Sequence, residues 1–248
     1  MTTYLISGAS RGLGRALTTA LLSQPSNTVI AGVRDLNDSN SRSLATLPCG
    51  ESSKLIVVKI DSTSDTDAIE AVSTLSTNHG VTKLDVVIAN AGSSNIYGDL
   101  TTVKPDEVKE LVDVNGLGPL RLFQAVRSLL ESGGAGKFVV IGTPIASIGA
   151  MEKAPWPMFA YGASKVVAHY MTRKIHCESP SLTAFVIDPG FMQTDMGNSG
   201  ARHFGFEKAF VPVEDSCNFV LSQIEGASRE KVGGKFVSID ETRREVEW

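Results

Sequence analysis

The sequence predicts an α/β fold: a doubly wound seven-stranded parallel sheet flanked by helices, in a single domain covering residues 1–248. Three observations carry this. Short runs rich in Val and Ile recur with little apolar–polar alternation, as strands covered on both faces require. Helix-patterned segments separate these runs, the rhythm of a parallel sheet built from strand–helix–strand units. A glycine-rich turn, Ser7-Gly8-Ala9-Ser10-Arg11-Gly12-Leu13-Gly14, stands between the first apolar run and the first helical segment. The length suits one large α/β domain, and no repeat, low-complexity tract or interdomain linker divides it.

In chain order, strands are expected at Thr3–Ser7, Thr28–Val33, Lys54–Ile60, Leu84–Ala89, Lys137–Gly142, Thr183–Ile187 and Lys235–Ile239. Helices are expected at Gly12–Leu22, Asp65–His79, Glu107–Val114, Gly116–Glu131, Tyr161–Cys177 and Val213–Glu225. Ser64-Asp65 and Lys104-Pro105-Asp106 are helix-start signals, and Ser132–Gly136 reads as a flexible turn. Two stretches resist regular assignment. One is Pro144–Phe159, with Trp156 between two prolines; the other is Phe191–Phe210, with Phe191, Met192, Phe204, Phe206 and Phe210. Both follow strand C-termini, where ligands bind in open α/β sheets. They are expected to form a substrate pocket and its lid, the lid spanning about 191–212.

Composition excludes several classes. Lys and Arg number 23 against 27 Asp and Glu, a net charge of −4, which offers no basic face for nucleic acid. The pair Arg243-Arg244 reads as solvated surface. No apolar run approaches a membrane span, and the chain opens directly into a strand with no signal-like segment. Cys49, Cys177 and Cys217 are odd in number and far apart, which fits reduced thiols in a cytoplasmic protein; Cys177 is read as buried and inert. His79, His169, His176 and His203 show no metal-ligand spacing, so no metal is expected. His169 is read as a helix-packing residue.

Two constellations carry chemistry. Gly8 permits a sharp turn after the first strand, while Gly12 and Gly14 let backbone, helix and ligand approach closely. The new helix N-terminus then presents free N–H groups to a pyrophosphate. Gly8, Ser10, Arg11, Gly12, Leu13 and Gly14 are thus the candidate dinucleotide cradle of a Rossmann-type fold. Tyr161 and Lys165, in Tyr161-Gly162-Ala163-Ser164-Lys165, project from one helical face at i and i+4. A neighbouring ammonium favours phenolate, so it is expected to lower the phenol's pKa. Where NAD-binding folds place an acid at the end of the second strand, this sequence has Val33, then Arg34. With Arg11, two guanidinium groups suit a ribose 2′-phosphate. NADPH is therefore expected over NADH, with Asp35 the competing acid if the register slips by two.

Together these motifs resemble the short-chain dehydrogenase/reductase family, in order along the whole chain. Ala89-Asn90-Ala91-Gly92 looks like its N-A-G segment, and Asn115 in Asp113-Val114-Asn115-Gly116 matches its catalytic Asn. Asp188-Pro189-Gly190 with Thr194 looks like its P-G…T segment. More narrowly, Val139-Val140-Ile141-Gly142-Thr143, the Tyr161–Lys165 motif and Trp248 are similar to fungal polyketide ketoreductases.

The resemblance implies hydride transfer between NADPH and the carbonyl of a bulky aromatic or polyketide-type ketone. Tyr161 would be the proton donor. Lys165 would lower its pKa and bind the nicotinamide ribose, and Asn115 would hold a water linking Lys165 to solvent. Asp61 would contact adenine, Asn90 and Gly92 the adenosine ribose, and Pro189 and Thr194 the carboxamide end and the pyrophosphate. One member departs from the pattern. The family's serine is expected thirteen residues before the tyrosine, where this chain has Ile148, which cannot donate. Aligning the fifth strand instead puts Thr143 there, eighteen residues upstream, with Ser147, at fourteen, as the competitor; strand register favours Thr143. A homo-oligomer, dimer or tetramer, is implied through Gly116–Glu131 and Tyr161–Cys177, though some relatives with long lids stay single. The rival readings are an alcohol dehydrogenase working oxidatively and a non-catalytic NADP(H)-binding sensor.

Overall fold

A computed structural model describes residues 1–153, 155–243 and 245–248. Arg244, half of the pair read as solvated surface, lies outside them. Seven strands form one parallel sheet: β1 Thr2–Ser7, β2 Asn27–Val33, β3 Lys54–Lys59, β4 Val86–Ala89, β5 Lys137–Ile141, β6 Thr183–Asp188 and β7 Phe236–Ser238. Their order is β3-β2-β1-β4-β5-β6-β7, every neighbouring pair parallel. The chain winds outward from β1 in one direction and from β4 in the other, so the switch point lies between those two strands. The helices are α1 Gly12–Ser23, α2 Ser39–Arg42, α3 Asp67–His79, α4 Pro105–Val112, α5 Gly118–Glu131, α6 Phe159–Glu178, α7 Asp195–His203 and α8 Val213–Glu225.

The missing alternation in the strands has a direct cause. Successive side chains point to opposite faces, and both faces are covered. Leu5, Val87, Phe138 and Val140 enter one core with Leu122 and Val126 of α5 and Ala168, Met171 and Ile175 of α6. Their neighbours Ile6, Ile88, Val139 and Ile141 enter the other, with Leu17 and Leu21 of α1 and Val220 and Ile224 of α8.

Several boundaries differ from the sequence expectation. β4 begins at Val86 rather than Leu84, and α6 runs a residue or two further at each end. Between α4 and α5 the chain makes a π-helical turn, Asp113–Leu117, instead of a simple break. The stretch 191–210 is not wholly irregular: α7 lies inside it, N-capped by the Thr194 hydroxyl, which accepts from Gly197 N at 3.1 Å. Short 3₁₀ turns at Pro144–Ala146 and Met151–Lys153 occupy the other stretch. Cys177 is exposed, not buried, because it faces outward in the last turn of α6; the buried thiol is Cys217, pushed up to about 11 by its burial. Among the described residues no group of His, Cys, Asp or Glu could hold a metal ion, and no helix is long and apolar enough to cross a membrane.

The glycine turn shows how little room the fold leaves. A Cβ on Gly14 would collide with the Gly8 carbonyl oxygen and lie 2.6 Å from Asn90 Nδ2. Gly14→Ala is expected to lower stability by about 1–3 kcal/mol, the usual range for overpacking, read as a fall in Tm by thermal denaturation. An unchanged Tm would mean that α1 and the β4 loop are not held this tightly.

Candidate active site

The C-terminal edge of the sheet at the switch point gathers three loops. β1 ends in Ser7, whose hydroxyl accepts from Asn90 N and Ala91 N, both at 3.1 Å. Asn90 Nδ2 returns a bond to Ser7 O at 2.9 Å, so the glycine loop and the β4 loop are stitched together. Gly8 takes φ +67°, open to glycine at little cost, and a Cβ there would lie 2.9 Å from Ala91 Cα. Gly12 brings the loop to Thr194, whose Cγ2 would be 3.3 Å from an added Cβ. Ser10 and Arg11 lie along the rim, and Leu13 is buried beneath it in the α1 core. A groove of bare backbone thus runs from the N-terminus of α1 to the β6 loop, the shape a pyrophosphate needs.

β2 ends at Val33, paired with Lys59, so Arg34 is the first residue beyond the strand and Asp35 the second. Arg34 and Arg11 are exposed, and neither makes an ion pair among the described residues. Asp35 uses one oxygen in its own turn, accepting from Asn37 N at 2.8 Å. Asp61 caps its turn, accepting from Thr63 N and Oγ1, each at 2.9 Å. Pro189 accepts at its carbonyl from Ser216 Oγ at 2.7 Å.

Opposite this groove, α6 docks one face on the end of β5. Lys165 is buried, and its Nζ donates to Ile141 O at 2.9 Å. It sits 6.0 Å from the Tyr161 ring centroid. The Thr143 hydroxyl interacts with the phenol and also accepts from Ile145 N at 3.4 Å. Ser147 points elsewhere: it is fully buried, donates to the Glu247 carbonyl and accepts from Ala150 N at 3.1 Å. Asn115, in the π turn, is also fully buried. Its Oδ1 accepts from Ser93 N at 2.8 Å; its Nδ2 donates to Ser93 O at 2.8 Å and to Ser164 Oγ at 2.9 Å. Ser164 in turn donates to Tyr161 O at 2.7 Å. Gly92 passes close by: a Cβ there would lie 3.0 Å from Asn115 Oδ1 and 3.5 Å from Lys165 Nζ.

The electrostatics differ from the expectation of an acidified phenol. Burial raises the Tyr161 pKa above its ordinary value, the Asp188 carboxylate adds to this, and Thr143 opposes it. Burial also pulls Lys165 down to about 8. Desolvation penalises the charged form of each group, and the ammonium bonds a carbonyl rather than the phenol. Asp188 is itself raised by burial, and it accepts from Gly190 N at 2.9 Å and Ser238 Oγ at 2.7 Å.

The loops after β4, β5 and β6 also contribute a chain of aromatic rings. Phe191 meets Phe210 at 5.5 Å, Phe210 meets Phe206 at 5.2 Å, and Phe206 meets Trp156 at 6.4 Å. Trp156 contacts Phe204 at 5.2 Å, and Tyr97 stacks on His203 at 4.2 Å. Bonds from Gln193 N and Val211 N, to Val211 O and Phe191 O at 2.8 Å each, tie the two ends of the stretch 191–211 together.

A family model for short chain dehydrogenase matches residues 2–203. The chain belongs to the short-chain dehydrogenase family. It is 46% identical over 239 residues to norsolorinic acid ketoreductase of Dothistroma septosporum, covering 95% of this chain and 89% of that one. It is 44% identical over 238 residues to norsolorinic acid ketoreductase of Aspergillus parasiticus, covering 95% and 88%. The fold is shared with NADPH-bound carbonyl reductase from chicken fatty liver, with a TM-score of 0.85, 22% identity, and 100% and 99% of the two chains covered. The carbonyl reductase Sniffer of D. melanogaster gives a TM-score of 0.84 at 23% identity, with both chains covered completely. The protein is thus an oxidoreductase acting on the carbonyl–hydroxyl pair, and its family uses a nicotinamide cofactor. The glycine cradle and its close approaches fit that group.

In this short-chain dehydrogenase the sequence reading passed over Ser7, Ser93 and Ser164, which organise the loops, and Arg121. The Arg121 guanidinium holds the π turn through Asp113 at 2.8 Å and reaches Asp65 at 2.6 Å. Ser164 had a local signal: it lies at i+3 from Tyr161 inside the motif already singled out. In the free protein the Lys165 ammonium is expected to titrate near 8, well below the exposed lysines, when followed by heteronuclear NMR. Titration together with the surface lysines would contradict its desolvation.

Proposed function

We propose that the chain is an NADPH-dependent ketoreductase reducing a bulky aromatic, polyketide-type ketone to a secondary alcohol. The observation that carries this reading is the gathering of Tyr161, Lys165 and Thr143 at the end of β5, across from the glycine cradle. The 44% and 46% identity to norsolorinic acid ketoreductases supports the substrate class, as does the wall of rings from Phe191 to Tyr97. When bound, the nicotinamide supplies the hydride and leaves with a positive charge.

The protein's own residues handle the oxygen. Hydride addition builds negative charge there, so donors must be in place beforehand. The Tyr161 phenol donates the proton, and the Thr143 hydroxyl gives a second hydrogen bond that orients the carbonyl. Lys165 holds the ribose hydroxyls while its ammonium is anchored on Ile141. The Asn115 amide ties Ser93 and Ser164 and so sets the π turn, and its Oδ1, which accepts a single bond there, would also hold the water linking Lys165 to solvent. Arg11 and Arg34 clamp the 2′-phosphate, Asp61 faces the adenine, Asn90 and Gly92 the adenosine ribose, and Pro189 and Thr194 the carboxamide end and the pyrophosphate. Leu120, Phe123, Met171 and Ile175, rimmed by Arg127, Lys174 and Glu178, line a groove between α5 and α6, where two copies would pair.

The decisive assay is oxidation of NADPH and of NADH in the presence of polycyclic aromatic ketones. NADPH should have the higher kcat/KM, and Arg34→Asp should cut that preference about 10- to 100-fold, the worth of a charge-assisted bond of ~1.5–3 kcal/mol. Equal use of both cofactors by the unaltered enzyme would sink the 2′-phosphate reading.

The second expectation separates the two hydroxyls. Thr143→Ala should cost about 100-fold or more in kcat, as does loss of an oxyanion donor, whereas Ser147→Ala should slow turnover far less. If neither slows it, Tyr161 alone holds the carbonyl.

A further inference from the structure

His169 is a buried titratable side chain that the reaction so far leaves unused. It stands four residues beyond Lys165 and eight beyond Tyr161, so all three share one face of α6. That face meets the end of β5 at three successive points. Tyr161 meets the Thr143 hydroxyl, Lys165 takes the Ile141 carbonyl, and His169 takes the Thr143 N–H, whose nitrogen lies 3.4 Å from Nε2. The sheet explains why this last bond is needed. Gly142 N makes the final bond to β6, to Ile187 O at 2.7 Å. Thr143 is buried one residue beyond that bond, and a buried N–H without an acceptor is costly.

The contact dictates the state of the ring. A nitrogen that accepts from N–H carries no proton, so the proton of the neutral imidazole sits on Nδ1. Nδ1 is buried with no hydrogen-bond partner among the described residues, a desolvation cost the ring carries in place of the main chain, and the ring packs edge-on to Phe236 at 4.6 Å and Trp248 at 6.1 Å. Burial, reinforced by the Lys165 charge, keeps the His169 pKa at about 3, so the acceptor persists. Gly142 is required for the approach, because a Cβ there would lie 2.5 Å from Nε2. The segment behind the ring also fastens the far side of the loop. Gly149 N donates to Trp248 O at 2.8 Å, and Ser147 Oγ donates to Glu247 O.

We propose that His169 is a positioning residue: its neutral imidazole holds the Thr143 main chain so that the Thr143 hydroxyl stays beside Tyr161 and the substrate carbonyl. This rests on the reading of Thr143 as the carbonyl-orienting hydroxyl.

The test is a double-mutant cycle read in kcat at saturating NADPH. His169→Leu should lower kcat about 10-fold or more, since a misplacement near 1 Å costs up to ~100-fold. His169→Gln, whose amide oxygen can replace Nε2 as acceptor, should restore most of that loss. In a Thr143→Ala background His169→Leu should cost nothing further. A His169→Leu penalty of equal size in both backgrounds overturns the proposal, as does a Gln variant no better than Leu. Should the Leu variant fail to fold, the imidazole nitrogen NMR spectrum of the unaltered enzyme decides: Nδ1–H with bare Nε2 is expected, and an Nε2–H tautomer or an imidazolium refutes it. Failure of the underlying reading is recognised separately, by a Thr143→Ala enzyme that turns over normally.

Discussion

Every part of the site depends on one packing event, the seating of a single face of α6 on the C-terminal end of β5. Burying an ammonium is costly unless it is bonded, so Lys165 must find the Ile141 carbonyl, and that bond fixes the rotation of the helix. Once the rotation is set, Tyr161 a turn earlier and His169 a turn later have no choice of neighbour. Ala168, Met171 and Ile175 hold the helix against the core shared with Phe138 and Val140. The interior of β5 is covered on both sides, so its end is not free to shift. The polar site is therefore as rigid as the apolar core beneath it.

The second organising device is close approach of backbone where a side chain would intrude. Gly8 against Ala91, Gly92 against Asn115 and Gly142 against His169 all bring main chain within a few ångströms of a neighbouring element. Asn115 completes the arrangement from the other direction. The π turn widens the helix by one residue and aims the amide inward, where it ties the β4 loop to Ser164 and, through it, to the main chain of Tyr161. The groove and the Tyr161–Lys165 pair are thus two sides of one hydrogen-bonded frame.

How much of this was legible follows from the kind of signal each feature leaves. The seven strands were visible because burial on both faces demands unbroken apolar runs, and Tyr161, Lys165 and the glycine turn stand in short local patterns. Thr143 could be placed against Ser147 because strand register is a stronger constraint than loop length, and the structure brings Thr143, not Ser147, to Tyr161. The π turn was not legible, since one extra residue in a helical ladder leaves no mark on composition. α7 was missed because Gly197, Asn198, Ser199 and Gly200 disguise it. Its cap was nonetheless readable: Thr194 and Asp195 open it, and Arg202 and His203 close it. Spacing put a cation beside a phenol but gave no measure of desolvation, and desolvation decides the sign of both shifts.

That sign bears on the proposed proton transfer. In the proposed reaction a phenol held protonated by burial and by Asp188 would meet an alkoxide, a much stronger base than phenolate, so its weak acidity is no obstacle. A pure binding protein would have no reason to sustain this arrangement. Holding a buried phenol, ammonium, hydroxyl and imidazole on one helix–strand junction costs desolvation at each group, and that cost is repaid only where charge is made and removed. The same burial that opposes charge at Tyr161 thus keeps the junction in its protonated, hydrogen-bonding form.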